Sequence, residues 1–271
     1  MPAPGDPPRA RALAVILARE SWIVAAGLIF LCLLAWWWLW GMATPPDHSA
    51  GMVDMPGMPA MAGRPAPDVW SIAYLGPAAL MWAVMMVAMM LPSAAPMILL
   101  HAALSRRSGA AGQGATPLFA AAYLALWGTF ALAAAGAQAL LIGSGLLSQV
   151  GLAIEDRRAA ALLLVAIALY QLSPLKRLCL SNCRSPLGFL MARWGPTRSD
   201  ALRMGLAHGA YCIGCCAVLM LLLFVGGVMN LAWIAFITLV VLAEKYLPAR
   251  VRPDRAVAVL LLVGAVLLVA R

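Results

Sequence analysis

The chain has 271 residues, of which 64% are hydrophobic and 11% are charged, and its formal net charge is +9. This composition is too apolar for a soluble domain, and several segments reach the roughly 20 apolar residues that a membrane-crossing helix needs. In a membrane protein, basic residues first report orientation, so the positive charge does not indicate binding to nucleic acid. The sequence predicts an all-α, polytopic transmembrane helix bundle with the lipid bilayer as a partner.

The amino-terminal part, residues 1–41, is predicted to form a short basic tail and a first transmembrane helix over about 22–40. The apolar segment ends in a cluster of tryptophans, Trp36, Trp37, Trp38 and Trp40. Such a cluster is typical of an interfacial aromatic belt and not of the small-residue site where a signal peptide is cleaved. We therefore expect this helix to be retained.

Residues 42–69 are predicted to form an extracytoplasmic loop, because their prolines exclude a helix or a central strand. Methionine recurs at every third position of this loop, at Met52, Met55, Met58 and Met61. Side chains in a solvated loop have no core to fill, and spaced thioethers bind Cu(I) without losing a proton. The loop is therefore a candidate for capturing a soft metal, and the alternative is a linker with incidental methionines.

The second predicted span, about 70–100, carries methionines in two neighbouring lines at helical spacing. Met86 and Met90 lie on the line that leads to His101. This pattern predicts either a conduit for a soft metal or ordinary core packing. Two prolines in this span are expected to free carbonyl groups that neighbouring helices must satisfy.

The two spans in the middle of the chain are predicted mainly from their composition. The third, about 117–142, is rich in Ala and Gly, which allows close helix packing but supplies no ligand. The fourth, about 159–175, carries Tyr170 and Gln171, whose polar groups we expect to face other helices because lipid cannot satisfy them.

A basic loop follows over residues 173–200 and contains Cys179 and Cys183. On a short amphipathic helix, thiols four residues apart share a face. They are candidates for a cytoplasmic exchange site that transfers metal, or for redox chemistry. The alternative is an interfacial helix whose cysteines point into the bilayer.

The fifth predicted span, about 201–225, contains the densest group of metal ligands in the chain: His208, Cys212, Cys215 and Cys216. At helical spacing the three thiols lie close together, with His208 one turn away as an adjacent ligand. Two or three sulfurs suit the low coordination numbers of Cu(I), and three sulfurs with an imidazole could hold Zn(II). The alternative is that these residues only pack.

The last two predicted spans, about 228–247 and 256–269, bring the total to about seven. Glu244 and Lys245 are expected to close the sixth span at the basic side. With a cytoplasmic amino terminus, fifteen of the 19 Lys and Arg residues fall inside and four fall outside. This asymmetry follows the positive-inside rule and predicts a multi-pass protein of the cell inner membrane.

Four sequence motifs and a charged pair carry a resemblance to a known family. The motifs are W-A-V-M-M-V-A-M-M-L-P-S at 82–93, Y-Q-L-S-P-L-K-R-L-C-L-S-N-C-R-S-P at 170–186, G-A-Y-C-I-G-C-C-A-V-L-M at 209–220 and G-V-M-N-L-A-W at 227–233, with Glu244-Lys245 after them. In these residues the chain resembles a bacterial and archaeal family of unknown function described as predicted metal-binding integral membrane proteins. The resemblance implies metal binding over residues 70–271, which we treat as one multi-span domain. Ala217 departs from the Trp expected in many relatives.

Together these patterns predict a membrane protein that binds a soft metal, most simply Cu(I), in copper transport, delivery or homeostasis. No ATP-binding motif is present, so we expect any transport to be passive, proton-coupled or driven by ligand exchange. The candidate partners are a periplasmic or cytoplasmic metallochaperone or a membrane metalloenzyme. We favour a non-enzymatic role. The alternatives are a membrane thiol-disulfide relay and an assembly partner of a membrane metalloenzyme.

Overall fold

The computed structural model describes residues 8–43, 68–107, 114–148, 151–248 and 250–270, and for residues 8–21 only the backbone. Within these ranges the chain is helical, which confirms the predicted fold class. The helices are α1 (Pro8–Ala43), α2 (Ile72–Arg107), α3 (Ala115–Gly143), α4 (Arg157–Gln171), α5 (Pro174–Arg184), α6 (Pro186–Arg193), α7 (Arg198–Met220), α8 (Leu223–Gly226), α9 (Leu231–Tyr246) and α10 (Pro253–Ala270). The predicted metal-capturing residues Met52, Met55, Met58 and Met61 lie outside the described residues.

Five helical segments in the described ranges are long and apolar enough to cross a membrane. They are Trp22–Ala43, Ile72–Arg106, Ala115–Gly143, Arg198–Gly226 and Pro253–Ala270. The pair α4 and α5 is bent by 62° and could count as a sixth span. The predicted fourth and sixth spans are helical, but α4 and α9 have only 15 and 16 residues, fewer than the roughly 20 of a full crossing. The seven-span count and the orientation stay predictions.

Four of the internal helices begin at a polar side chain that satisfies a free backbone N–H. In each case the side-chain oxygen accepts a hydrogen bond from the N–H three residues later. The capping residues are Asp156 before α4, Ser173 before α5, Thr197 before α7 and Asn230 before α9. These caps fix where the four helices start, and composition alone did not locate them.

α2 continues through its internal prolines because neighbouring helices satisfy the carbonyls that the prolines free. Pro92 lacks an N–H for the carbonyl of Ala88, and the thiol of Cys32 donates to that oxygen at 3.7 Å. Pro96 likewise frees the carbonyl of Pro92, which accepts a 2.9 Å hydrogen bond from the hydroxyl of Tyr246. The expectation that the bundle satisfies these groups is confirmed.

α7 lies at the centre of the packing that builds the site. It packs against α3 and α5, α2 packs against α1 and α3, and α4 packs against α10. The α3–α7 contact is close because Gly205 has no side chain: a Cβ there would overlap the carbonyl oxygen of Phe119. Small residues at helix crossings allow such approach in membrane proteins. The close approach places the α7 cysteines beside α3.

Candidate metal centre

Cys212, Cys215 and Cys216 form a cluster of thiols on one face of α7, named here the thiol cluster. Their sulfur atoms all lie within 4.8 Å of one another, and each residue is at most 1% exposed. The spacing i, i+3, i+4 places the three side chains together on an α-helix. Two metal–sulfur bonds of about 2.3 Å join sulfurs up to about 4.6 Å apart, so the cluster fits one soft ion. The thiols of Cys215 and Cys216 already lie 3.1 Å apart.

α5 brings a fourth thiol to this cluster. The Sγ of Cys183 lies 3.8 Å from the Sγ of Cys215, whereas the sequence predicted a separate cytoplasmic exchange site on this helix. Cys179 is also buried, and a Cβ at Gly214 would come within 2.6 Å of its sulfur, so the glycine leaves room for this thiol. The hydroxyl of Tyr170 donates to the carbonyl of Gly214. The bend between α4 and α5 turns both cysteines towards α7, which the spacing alone could not predict.

A buried polar network, named here the anchor network, fixes α5 to the end of α9. The Nζ of Lys176 lies 2.6 Å from the Oε2 of Glu244, and the two side chains are 0% and 1% exposed. Gln171 accepts from Lys176 and donates to the Oε1 of Glu244 at 2.8 Å. The Nε of Arg184 donates to the backbone carbonyl of Glu244 at 2.6 Å. The network confirms that Gln171 faces other helices.

Two polar side chains that the sequence analysis did not assign to the site contact Cys212. The Nζ of Lys245 lies 3.0 Å from the Sγ of Cys212 and donates to the Oγ of Ser93 at 2.7 Å. The hydroxyl of Tyr123 lies 3.2 Å from the same sulfur. Lys245 was expected to close a helix at the basic side, and the span of Tyr123 was expected to supply no ligand. Tyr123 reaches the cluster because α3 packs against α7, and Lys245 reaches it because α9 ends beside Cys212. The charged pair Glu244-Lys245 at the end of an apolar run was the sequence signal for Lys245.

The two predicted histidine ligands are buried, and both stack on Phe119. His101 stacks on this ring at 4.7 Å and His208 at 6.1 Å, and His208 also stacks on Tyr123 at 5.3 Å. Neither ring nitrogen of His208 has a hydrogen-bond partner among the described residues, while the Nδ1 of His101 lies 3.1 Å from the hydroxyl of Thr116. His208 is not among the residues whose ligand atoms converge within 4.8 Å. Its free nitrogens leave it available as a ligand outside the thiol cluster.

The methionines of the predicted conduit lie in the packed core. Met86 and Met90 are both fully buried within α2. The backbone carbonyl of Met90 accepts hydrogen bonds from Ser93 and Tyr123, both of which belong to the surroundings of Cys212. This helix is therefore joined directly to the thiol cluster, and a conduit along its methionines stays a prediction.

Comparison with known proteins agrees with a metal centre. A family model described as "PpoB2: Copper chaperone" matches residues 79–268. The matched region includes the thiol cluster, the anchor network and both histidines but not the methionine loop. No curated protein and no solved structure matches the chain.

Proposed function

Because the chain belongs to the copper chaperone family described as PpoB2, we propose that it binds Cu(I) at the thiol cluster and passes it to another protein. We further propose that it does so as a multi-pass protein of the cell inner membrane. The observation that carries this proposal is the convergence of three buried sulfurs on one face of α7. Thiolate sulfur is a soft ligand that favours Cu(I) over harder cations.

The composition of the cluster favours Cu(I) over Zn(II). A structural zinc site takes four ligands in a tetrahedral arrangement, whereas Cu(I) is satisfied by two or three sulfurs. The thiol cluster supplies three, and His208 is not part of the convergent group. Zinc would have to recruit Cys183 or His208 as a fourth ligand, so it remains the second metal to test.

The proposed path uses the predicted ligands in the order of the predicted topology, with the amino terminus in the cytoplasm. The methionine loop would capture metal outside, Met86 and Met90 would serve as intermediate sites, and His101 and His208 would serve as sites on the cytoplasmic side of the thiol cluster. Cys183 and Cys179 would then remove metal from the thiol cluster by ligand exchange. The 3.8 Å between the sulfurs of Cys183 and Cys215 supports direct exchange. Partners would be a metallochaperone or a membrane metalloenzyme.

Metal loading of the purified protein tests this proposal. The full chain is purified in detergent under reducing conditions, loaded with Cu(I) or Zn(II), and analysed by mass spectrometry for bound metal. We expect about one tightly bound Cu(I) per chain in addition to any held by the methionine loop, and its loss when all three cluster cysteines become Ser. Cys32→Ser is the matched control, because this cysteine lies on α1 and contacts a carbonyl of α2. A wild-type protein that stays free of Cu(I) contradicts the proposal.

A thiol-disulfide relay is the second candidate function. All six cysteines are free thiols, and Cys183 and Cys215 lie on different helices with their sulfurs 3.8 Å apart. Joining them would release two protons and pass two electrons to a partner disulfide. Trapping a mixed disulfide at Cys183 in a protein that binds no Cu(I) would favour the relay over metal delivery.

A further inference from the structure

Lys245 is a buried cation beside the thiol cluster with no carboxylate partner in the described part of the chain. Its side chain is 6% exposed, and it contacts only a thiol and a hydroxyl within hydrogen-bond distance. The ion pair found among the described residues joins Lys176 to Glu244 instead. An uncompensated charge in a low-dielectric interior is costly. A negative charge next to Lys245 would compensate this cost.

A Cu(I)–thiolate unit supplies such a charge. When two thiols bind Cu(I), two protons leave and the unit carries a net charge of −1, because each thiolate carries −1 and the ion +1. With the ammonium of Lys245 the total is zero. Three thiolates would leave the buried site at −1, and the low dielectric disfavours that excess.

We propose that Lys245 is the counter-charge of a Cu(I) centre with two thiolates, one of them Cys212. This inference rests on the proposed function and assigns to Lys245 a positioning role: it contacts the sulfur of Cys212 at 3.0 Å and not the ion. The hydroxyl of Ser93 fixes the ammonium from the side of α2. The third thiol of the cluster is then not bound to the ion and is available for ligand exchange with Cys183.

Substitutions at one position separate charge from packing. Lys245→Met removes the charge and keeps most of the volume, whereas Lys245→Arg keeps the charge. Tyr246→Phe is the matched control, because it removes a hydrogen bond to α2 one residue further along without changing charge. Cu(I) affinity is measured for the full chain in detergent by competition with a chromophoric Cu(I) chelator. X-ray absorption at the copper edge counts the sulfurs bound to the ion.

We expect Lys245→Met to lower Cu(I) affinity by about 10- to 100-fold, the usual effect of losing a partner of a metal ligand. Lys245→Arg and Tyr246→Phe should stay close to the wild type. Wild-type affinity in a folded Lys245→Met protein would overturn the inference, as would an equal loss in Lys245→Arg. If Lys245→Met does not fold, the wild-type spectrum decides, since two Cu–S bonds support the inference and three overturn it. A wild-type protein that binds no Cu(I) refutes the proposed function itself.

Discussion

Cys212 is the cluster residue whose sulfur contacts polar side chains of both α3 and α9. Lys245 and Tyr123 both lie within 3.2 Å of its sulfur, and the carbonyl oxygen of Cys212 accepts from the thiol of Cys215 at 3.2 Å. Helical spacing predicted that the three cysteines would meet, because all lie on one helix. The same spacing says nothing about residues on other helices. The contact with Lys245 depends on where α9 ends, which is decided by tertiary packing.

Gly205 should be more sensitive to substitution than a glycine on the open face of α3. A Cβ at Gly205 would overlap a backbone oxygen of α3, so the helices must separate. We expect Gly205→Ala to lower stability by about 1–3 kcal/mol, the usual cost of overpacking. Gly128→Ala is the control, since a Cβ there meets nothing within 4 Å, and it should be neutral or slightly stabilising. Thermal unfolding in detergent measures both, and equal stability of the two variants would contradict the close α3–α7 contact.

At the scale of elements, the anchor network helps to fix the position of α5. The network joins the end of α4, the first turn of α5 and the end of α9 through Lys176, Gln171 and Glu244. The sequence predicted a short amphipathic helix here and placed its thiols in a separate site. The 62° bend that turns α5 towards α7 could not be predicted from the sequence, because a bend is set by the partners of a helix and not by its hydrophobic pattern.

Breaking the anchor network from one side should destabilise the protein strongly. Glu244→Gln leaves the fully buried ammonium of Lys176 without its carboxylate. Loss of one partner of a buried ion pair costs about 3–5 kcal/mol. The double substitution Lys176→Met with Glu244→Leu removes both charges and should recover a large part of this loss. Denaturant unfolding in detergent measures the effect, and a double variant as unstable as Glu244→Gln alone would show that charge compensation is not what stabilises α5.

At the scale of the whole molecule, every apolar segment predicted as a span is helical in the described residues. The predicted all-helical bundle could therefore be read from hydropathy alone. The lengths of α4 and α9 could not, because caps and turns shorten them to 15 and 16 residues. The burial of Lys245 shows a further limit: a charge at the end of an apolar run can mark a buried site as well as a membrane edge.

The predicted orientation can be tested with reporter fusions. We expect fusions within 108–113 and 194–197 to report a cytoplasmic location, and fusions within 144–148 and at Gly227 to report an extracytoplasmic one. The expectation rests on fifteen basic residues inside against four outside. A dual reporter with opposite activity in the two compartments provides an internal control. Equal signals at positions on both sides would contradict the topology.

The end of α9 at Tyr246 has a consequence for the side on which a bound metal would be released. α9 stops one residue after Lys245, at the level of the thiol cluster, whereas α7 extends from Cys212 back to Arg198 over about 21 Å at 1.5 Å per residue. On that side of the thiols, α5 and α6 occupy the space beside α7, and they are short helices of 11 and 8 residues. The half of the site towards Arg198 is thus covered by two short helices together with the first turns of α3, where Phe119 stacks on His208. For the proposed delivery of Cu(I), we expect the metal to leave on the side of α5 and α6, because displacing a short helix breaks fewer contacts than displacing a long one.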